Sequence, residues 1–423
     1  QSRGFNPVVV SLHDDEPGML LVKDRVVADF CDKDVTLEIA KKFSVKGVVT
    51  DQTDLPVRTI AYVCDVLGLP SIGYDTACLF TDKYLMREKC KELGINTIRY
   101  ALVNTFEEAL SFYKSLSRPI IIKPINNQGS KGVYKVDTPE ELKSKFAETI
   151  RYSRGEAILI EEFITGEELV IEAFACDGIV ENLVCGDTHY FNIPDAFSAC
   201  ERVFPSRNRS SILKKTLDLN KKIVKGFGLN RGLAHGEYII DGDEVYLIEI
   251  AARGGGVYIS SDIIPLMTGF NSTDFIIDIA TQRVVNTPNY SYFNRVACYI
   301  AFFLPEGVIN SISGVDKVKS LSFVHHNNLD SLYLGKTIGA SIDKTSRYFF
   351  VLEANDFDQL DAAFKEAREV KGMPVAIVMK TVKGKGVSFM ENQASWHGTA
   401  PNDEQYAVAM EDLKKVEEAL CQK

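Results

Sequence analysis

The sequence predicts a mixed architecture: α/β over about the first 80 residues, α+β beyond, and an extra α/β tail. Three observations predict it. Near the N-terminus, short apolar runs alternate with helically spaced segments, the pattern of parallel strands joined by helices. Further on, long alternating segments flank Asp177-Gly178 and Asp241-Gly242, the mark of antiparallel hairpins. Past about Ala354 the text changes character. The 423 residues carry 48 Lys and Arg against 58 Asp and Glu, a net charge of −10. At ~150 residues per domain, that length sets a prior of about three domains. Hydrophobic residues are 45% and charged residues 25%, which excludes wholesale disorder, collagen and a disulfide-stapled miniprotein. The acidic balance argues against a nucleic-acid partner held by bulk charge, while leaving room for a local basic nucleotide pocket. The nine cysteines form no CxxC pair, and none of the six histidines stands near a cysteine pair. Free thiols in a reducing compartment fit this better than disulfides or zinc. No apolar run approaches the ~18 residues of a membrane span, and no signal peptide is read. A cytoplasmic protein without a membrane partner is expected.

VVVSL, at 8–12, reads as a buried strand. The SRGF before it reads as a helix end, so the first strand and turn of the α/β domain are expected to be missing. VKGVVTD (45–51) reads as a second strand, PVRTIAYVCDVLGL (56–69) as a helix, and LPSIG (69–73) as a short strand-like segment. TDKYLMREKCKELG (81–94) is an amphipathic helix with Thr81 as N-cap and Gly94 just past its end. RPIIIKP (118–124) is a buried strand, followed by the glycine-bearing loop INNQGSKGV (125–133). TPEELKSKFAETIRYS (138–153) opens on a capping box, Thr138 with Glu141. AILIEEFI (157–164) is a strand, and the hairpins ELVIEAFACDG/IVENLVCGDTHY and GEYIID/GDEVYLIEIAAR follow. Between 286 and 350, YIAFFLPEG, SISGVDKVKSLSFVHH and YFFVLEA read as apolar strands.

Four groups carry candidate chemistry. Lys123 ends a buried strand before Gly129, Ser130, Lys131 and Gly132, so a lysine and flexible backbone amides can cradle phosphates. The loop is neither a Walker A motif nor GxGxxG, and a hairpin turn with solvated lysines is the alternative. Glu161 and Glu162 end a strand, with Glu168 seven residues after Glu161. Such carboxylates can accept from an adenine amino group or from ribose hydroxyls; a solvated acidic edge is the alternative. Glu237 and Glu249 fall on the two strands of one hairpin, among apolar neighbours. Two carboxylates in a sheet interior call for a cation, and oxygen ligands beside a phosphate favour Mg²⁺ over zinc. Arg253, followed by Gly254, Gly255 and Gly256, is placed to contact a transferring phosphoryl group; a hinge loop is the alternative. His235 lines the substrate pocket or is a packed, hydrogen-bonded histidine, and Arg202 and Arg207 bind a substrate carboxylate or are surface charge.

In this order, these groups resemble the ATP-grasp superfamily, over roughly residues 1–350. The variant resembled is that of amino-acid ligases and carbamoyl phosphate synthases. The resemblance implies a pre-ATP-grasp domain at 1–80, an ATP-grasp domain at 81–285 with a lid lobe at about 97–165, and a small lobe at 286–353. It implies ATP gripped between two lobes, with Lys83 and Lys123 on phosphates and the 126–132 loop as a lid. Glu161 would meet the adenine amino group, the backbone at Glu162 and Ile164 the ring edge, and Glu168 the ribose. Glu237 and Glu249 would hold Mg²⁺, and Arg253 would stabilise the transferred group. Many members carry an asparagine, itself a metal ligand, where this chain has Ala251, so one or two ions remain open. The activity implied is ATP- and Mg-dependent joining of a small-molecule carboxylate to an amine or thiol, through an acyl phosphate. A homodimer is compatible with it.

GMPVAIVMKTVKGKGVSFMENQASWHGTAPNDEQY (372–406), within a tail at 354–423, resembles the end of the thiamine-diphosphate-binding half of transketolase. The histidine matching His397 lies near the cofactor in that family, but its diphosphate-binding motif is absent from this chain, so thiamine diphosphate binding is not expected. A transketolase-related subunit and a non-catalytic nucleotide-binding protein are the competing functions.

Overall fold

In the computed structural model, residues 1–116, 118–127, 131–153, 157–193, 198–283, 288–339, 347–369, 388–389 and 402–421 are described. They divide into two compact units, Gln1–Ser313 with His325–Glu353, and Gly314–Val324 with Ala354–Lys423.

The first unit opens with strand β1 (Val8–Ser11), helix α1 (Pro17–Leu20) and strand β2 (Asp24–Val27). β1 and β2 pair in parallel, as expected of this region, although β2 was not foreseen. SRGF forms a turn closed by Gly4 N–H on the Gln1 carbonyl (2.9 Å), not a helix end. Helices α2 (Lys33–Lys42), α3 (Val57–Leu67) and α4 (Tyr74–Leu79) follow. The expected strands at 45–51 and 69–73 do not form. Gly47 packs so tightly on the Ala280 carbonyl, at the end of helix α10 (Ser272–Ala280), that a methyl there would collide with it, while Val45 and Val48 pack against α2 and α3.

Helix α5 (Lys83–Glu92) starts one residue later than a Thr81 cap requires. Asp82 is the cap: it is extended, and its carboxylate accepts from the Tyr84 and Leu85 N–H groups. Gly94, at φ 62°, ends the helix as expected. The next stretch is a four-stranded sheet of β3 (Tyr100–Val103), β4 (Ile120–Pro124), β5 (Tyr134–Val136) and β6 (Ile158–Glu162), in the order β3-β6-β4-β5. Helices α6 (Phe106–Lys114) and α7 (Pro139–Tyr152) cover it. The capping box of Thr138 and Glu141 forms as predicted.

The centre of the unit is an eight-stranded sheet. Its strands are β7 (Glu167–Cys176), β8 (Ile179–Tyr190), β9 (Ala199–Phe204), β10 (Arg231–Asp241), β11 (Glu244–Ala251), β12 (Val296–Phe303), β14 (Val324–Asn327) and β16 (Arg347–Ala354). Their order is β11-β10-β7-β8-β9-β12-β16-β14, and a separate small pair joins β13 (Gly307–Val308) to β15 (Thr337–Ile338). Both predicted hairpins are present, β7/β8 about Asp177-Gly178 as expected and β10/β11 about Gly242-Asp243, one residue later than read. Period-2 alternation sorts the residues of β7 and β10. Leu169, Ile171, Ala173, Tyr238 and Ile240 face α5 and helix α8 (Ser210–Gly226). Val170, Phe174 and Leu233 face a segment of a π-helical turn at Ile259–Ile263, α9 (Ile264–Thr268) and α10 (Ser272–Ala280).

The second unit holds α11 (Val315–Lys319), α12 (Phe357–Glu369) and α13 (Asp403–Cys421). α11 occupies part of the segment read as a strand, because Gly314 at φ 78° turns the chain into a helix. Leu360 is fully buried, and Ser388 N–H donates to Asp412 at 2.9 Å. Most of the transketolase-like string, with its expected strand at 376–381 and His397, lies outside the described residues. Among the described residues no helix is long and apolar enough to cross a membrane.

Candidate active site

Alternation places the first cations. Ile120 and Ile122 on β4, with Ile158 and Ile160 on β6, face helices α6 and α7. Lys123 and Glu161 therefore share the opposite face, and the Lys123 ammonium lies 2.5 Å from Glu161 Oε2. Arg87, on α5, reaches the other oxygen, with Nε 2.6 Å from Glu161 Oε1, and donates from Nη2 to the Ile248 carbonyl at 2.7 Å. All three side chains are buried. Burial alone would push the Glu161 carboxyl up, but Arg87 and Lys123 outweigh it and hold its pKa at about 2. Burial lowers the pKa of Lys123. Arg87 was not foreseen, although its place one turn after Lys83, on the buried stripe with Met86 and Cys90, is a readable signal.

Lys83, the first residue of α5, is buried. Its ammonium lies 2.8 Å from Glu249 Oε1 and 2.8 Å from the Asn127 carbonyl. That second bond ties α5 to the start of the glycine-bearing loop. Lys131 is exposed and Gly132 is buried at φ 76°, where a side chain would meet Tyr152; Gly129 and Ser130 lie outside the described residues.

Glu237 and Glu249 stand directly opposite each other across β10 and β11. Glu237 accepts from Arg202 Nη2 at 2.8 Å, and His235 Nε2 is 3.3 Å away. Burial opposes ionisation of Glu237, yet His235 and Arg202 hold its carboxyl far below the ordinary range. The other ring nitrogen of His235 bonds Glu172, whose second oxygen accepts the Gly255 N–H at 2.9 Å. Burial disfavours charge on His235, but Glu172 and Glu237 win and raise its pKa. Glu168, on the same face of β7 as Glu172, accepts from the Tyr190 hydroxyl at 2.6 Å. Burial lifts its pKa to about 7. Glu162 sits 3.1 Å from Arg118, and Ile164 packs with Ile98 and Ile239.

The loop after β11 is fixed from two sides. Arg253 makes a two-pronged contact with Asp54, both N–O distances 2.9 Å. Gly254 N–H donates to Asp51 at 2.9 Å, and the Ser260 hydroxyl donates to the same carboxylate at 2.8 Å. A methyl at Gly255 would fall on the Glu172 carboxylate and 2.8 Å from His235 Nδ1, so the glycine is required by close approach. Val257 and Tyr258 then take left-handed backbone, at φ 50° and 63°. For a β-branched residue this is strained, the kind of outlier that marks functional loops. Sequence reading missed Asp51, Asp54 and Glu172. Arg207, on the exposed loop after β9, bonds Asp187 through its backbone; the Glu237 cluster takes Arg202 instead.

Lys83, Lys123, Glu161, Glu237, Glu249, Arg253, His235 and Arg202 thus belong to one compact unit, in which ion pairs sort them into four groups: Lys83 with Glu249, Lys123 with Glu161, Arg202 and His235 with Glu237, and Arg253 with Asp54. Among the described residues no three His, Cys, Asp or Glu side chains cluster as a metal cage. Two carboxylates without a third ligand suit Mg²⁺, which binds through one or two carboxylates and completes its shell with phosphate and water.

Residues 116–262 match the ATP-grasp domain family. The chain is 27% identical over 245 residues to alanine–anticapsin ligase of Bacillus subtilis strain 168, covering 52% of this chain and 51% of that protein. It is 25% identical over 235 residues to the carbamoyl phosphate synthase large chain of Thermoanaerobacter sp. strain X514, covering 53% of this chain and 21% of that protein. It thus spans about half of the first relative and a fifth of the second. Among solved structures, the L-amino acid ligase from Bacillus licheniformis superposes with a TM-score of 0.72 at 22% identity, covering 86% of this chain and 91% of that one. The mixed α/β architecture of this chain, four-stranded sheet, eight-stranded sheet and the helices packed on them, is the ATP-grasp fold.

Proposed function

We propose that the protein is an ATP- and Mg-dependent ligase that phosphorylates a small-molecule carboxylate and joins the acyl phosphate to an amine. One observation carries this reading. Glu237 and Glu249 face each other on adjacent strands, Lys83 is already on Glu249, and Arg253 follows four residues later. Two of the similar proteins are named as amino-acid ligases, which supports an amino acid as one substrate.

In this reading Lys83 and Lys123 hold the nucleotide phosphates, with Lys131 and Gly132 contributing to the same end. Glu161 keeps both oxygens engaged by Lys123 and Arg87, yet each retains a lone pair for the adenine amino group. The backbone at Glu162 and Ile164 borders the ring, and Glu168 accepts the ribose hydroxyls. Glu237 and Glu249 hold Mg²⁺, which when bound offsets charge on the transferring phosphoryl group. Ala251 adds no ligand, so one ion is held directly. As nucleotide enters, Lys83 exchanges Glu249 for phosphate, and Glu249 becomes available to the cation. Arg253, oriented by Asp54, donates to the transferring group, and the Gly254–Gly256 backbone allows close approach. The tail resembling transketolase supplies none of these residues, and we assign it no part in this chemistry.

The test is ADP release from Mg-ATP against pools of amino acids and other small carboxylates. The expected result is ADP that depends on a given carboxylate and falls roughly 10²–10³-fold or more in Glu249→Ala. Carboxylate-independent ADP, or none from protein that binds ATP, would overturn it.

A further inference from the structure

Arg347 opens β16, and only 8% of its surface is exposed. Among the described residues its guanidinium makes no ion pair. It donates to the Ala199 carbonyl at 3.5 Å, long for a hydrogen bond, and lies against the Tyr299 phenol. A buried charge that has hydrogen bonds but no counter-ion among the described residues is costly, and a ligand anion would offset that cost.

The neighbours point the same way. Tyr299 on β12 stands directly across from Arg202 on β9, and β16 flanks β12 on its other side. Both Arg202 and Arg347 face the Tyr299 phenol. Arg202 is itself 8% exposed; one Nη bonds Glu237, while its buried Nε has no partner. Aromatic rings adjoin these groups. Tyr258, on the strained loop after the three glycines, stacks on His326 at 3.9 Å and lies 4.9 Å from Phe349, which in turn stacks on Tyr299. Among the described residues Glu237 matches Arg202, and one unit of charge on Arg347 remains. A carboxylate balances it, whereas a phosphate dianion would overshoot.

We propose that Arg347, Arg202 Nε and the Tyr299 hydroxyl form a subsite for a substrate carboxylate that the reaction leaves intact, such as the carboxylate of an amino acid reacting through its amine. This rests on the ligase reading and deepens it. The reacting group is held elsewhere, by Arg253 and the two glutamates, so a carboxylate here orients the acceptor and distinguishes amino acids from simple amines. Arg202 touches both the subsite and Glu237, which joins acceptor binding to the metal-binding strand.

Two measurements test it on the full chain. The first compares the best amino-acid acceptor with its amide in Mg-ATP turnover. Wild type is expected to prefer the acid; Arg347→Gln is expected to raise the KM for the acid about 10- to 100-fold, the worth of a charge-assisted hydrogen bond, with the KM for ATP unchanged and the amide unaffected. Equal losses for acid and amide, or no change, would overturn the proposal. The second needs no turnover: the melting temperature of wild type, Arg347→Met and Arg347→Lys is followed with and without added L-alanine, L-glutamate or succinate. Without carboxylate, Arg347→Met is expected to match or exceed wild type, since a buried unpaired charge is removed. Carboxylate should then stabilise wild type, stabilise Arg347→Lys less, and leave Arg347→Met unmoved. Equal stabilisation of all three overturns the subsite even if ligase activity is found, and a differential response supports it even if ligase activity is not.

Discussion

The two ends of the polar site differ in how their buried cations are balanced. At the proposed nucleotide end every buried cation named here has a carboxylate: Lys83 has Glu249, and Lys123 and Arg87 share Glu161. At the far end Arg202 has Glu237, and Arg347 has none among the described residues. The difference separates two uses of buried charge. A matched pair rests at low energy and exchanges partners when ligand arrives, so its first duty is to keep the site assembled. An unmatched cation weakens the resting protein and repays this only when an anion binds. Removing a carboxylate from the matched end should therefore damage stability, whereas removing the cation from the unmatched end should not.

The strongest break of this contrast is Glu161→Gln. It leaves Arg87 and Lys123 facing each other in a buried site, and loss of one partner from such a cluster costs about 3–5 kcal/mol. Denaturant unfolding should show that loss, where Arg347→Met shows none. The pH dependence gives an independent check. Glu161 has a folded pKa of about 2, below its ordinary 4.5. Its contribution is therefore present above pH 4.5 and lost as pH falls toward 2. Acid unfolding of wild type should steepen in that window, and the Gln variant should lack that component.

Much of the scaffold was legible because the signals were local. Asp177 and Gly178 both take positive φ at the tip of one hairpin, as an Asp-Gly turn between alternating strands requires, while the other turns one residue later than read, on Gly242-Asp243 with Gly242 alone at positive φ. The capping box at Thr138 is a four-residue signal; counting outward from the turn would set Glu237 against Ile248, and a bulge at Glu237/Tyr238, which no local pattern announced, brings it opposite Glu249. What failed was long-range. Glu172 is 63 residues from His235, and Asp51 and Asp54 lie 203 and 199 residues from the groups they bind. No local pattern pairs them. The stretch 45–51 has strand composition, but packing on α2, α3 and the end of α10 overrides it. Arg347 sits at the head of an apolar run, and that it has no counter-ion among the described residues is visible only in three dimensions.

Gly255→Ala is the intermediate case. It changes no charge, but drives a methyl onto Glu172 and His235, the pair that connects the 253–256 loop to Glu237. Overpacking of this kind costs about 1–3 kcal/mol. If the matched end works as an assembled network, kcat should fall further than stability, and a drop in melting temperature with normal kcat would show the loop to be independent of it.

The smallest effect tests where the matched region stops. Glu168 is buried beside Tyr190 and carries a pKa of about 7 in place of 4.5, so the folded protein holds this proton more tightly than the unfolded chain. The sign is opposite to that of Glu161. The favourable contribution is complete below pH 4.5 and is lost as pH rises through 7. Glu168→Gln, which cannot ionise, should leave stability near pH 4.5 almost unchanged and make the protein relatively more stable at pH 8. Melting curves across that range measure the crossing. If Glu168 also accepts ribose hydroxyls, wild type should bind Mg-ATP more tightly above pH 7 than below it, and the variant should lose that pH dependence. A variant that keeps the wild-type binding profile would place the titrating group elsewhere and remove Glu168 from the nucleotide end.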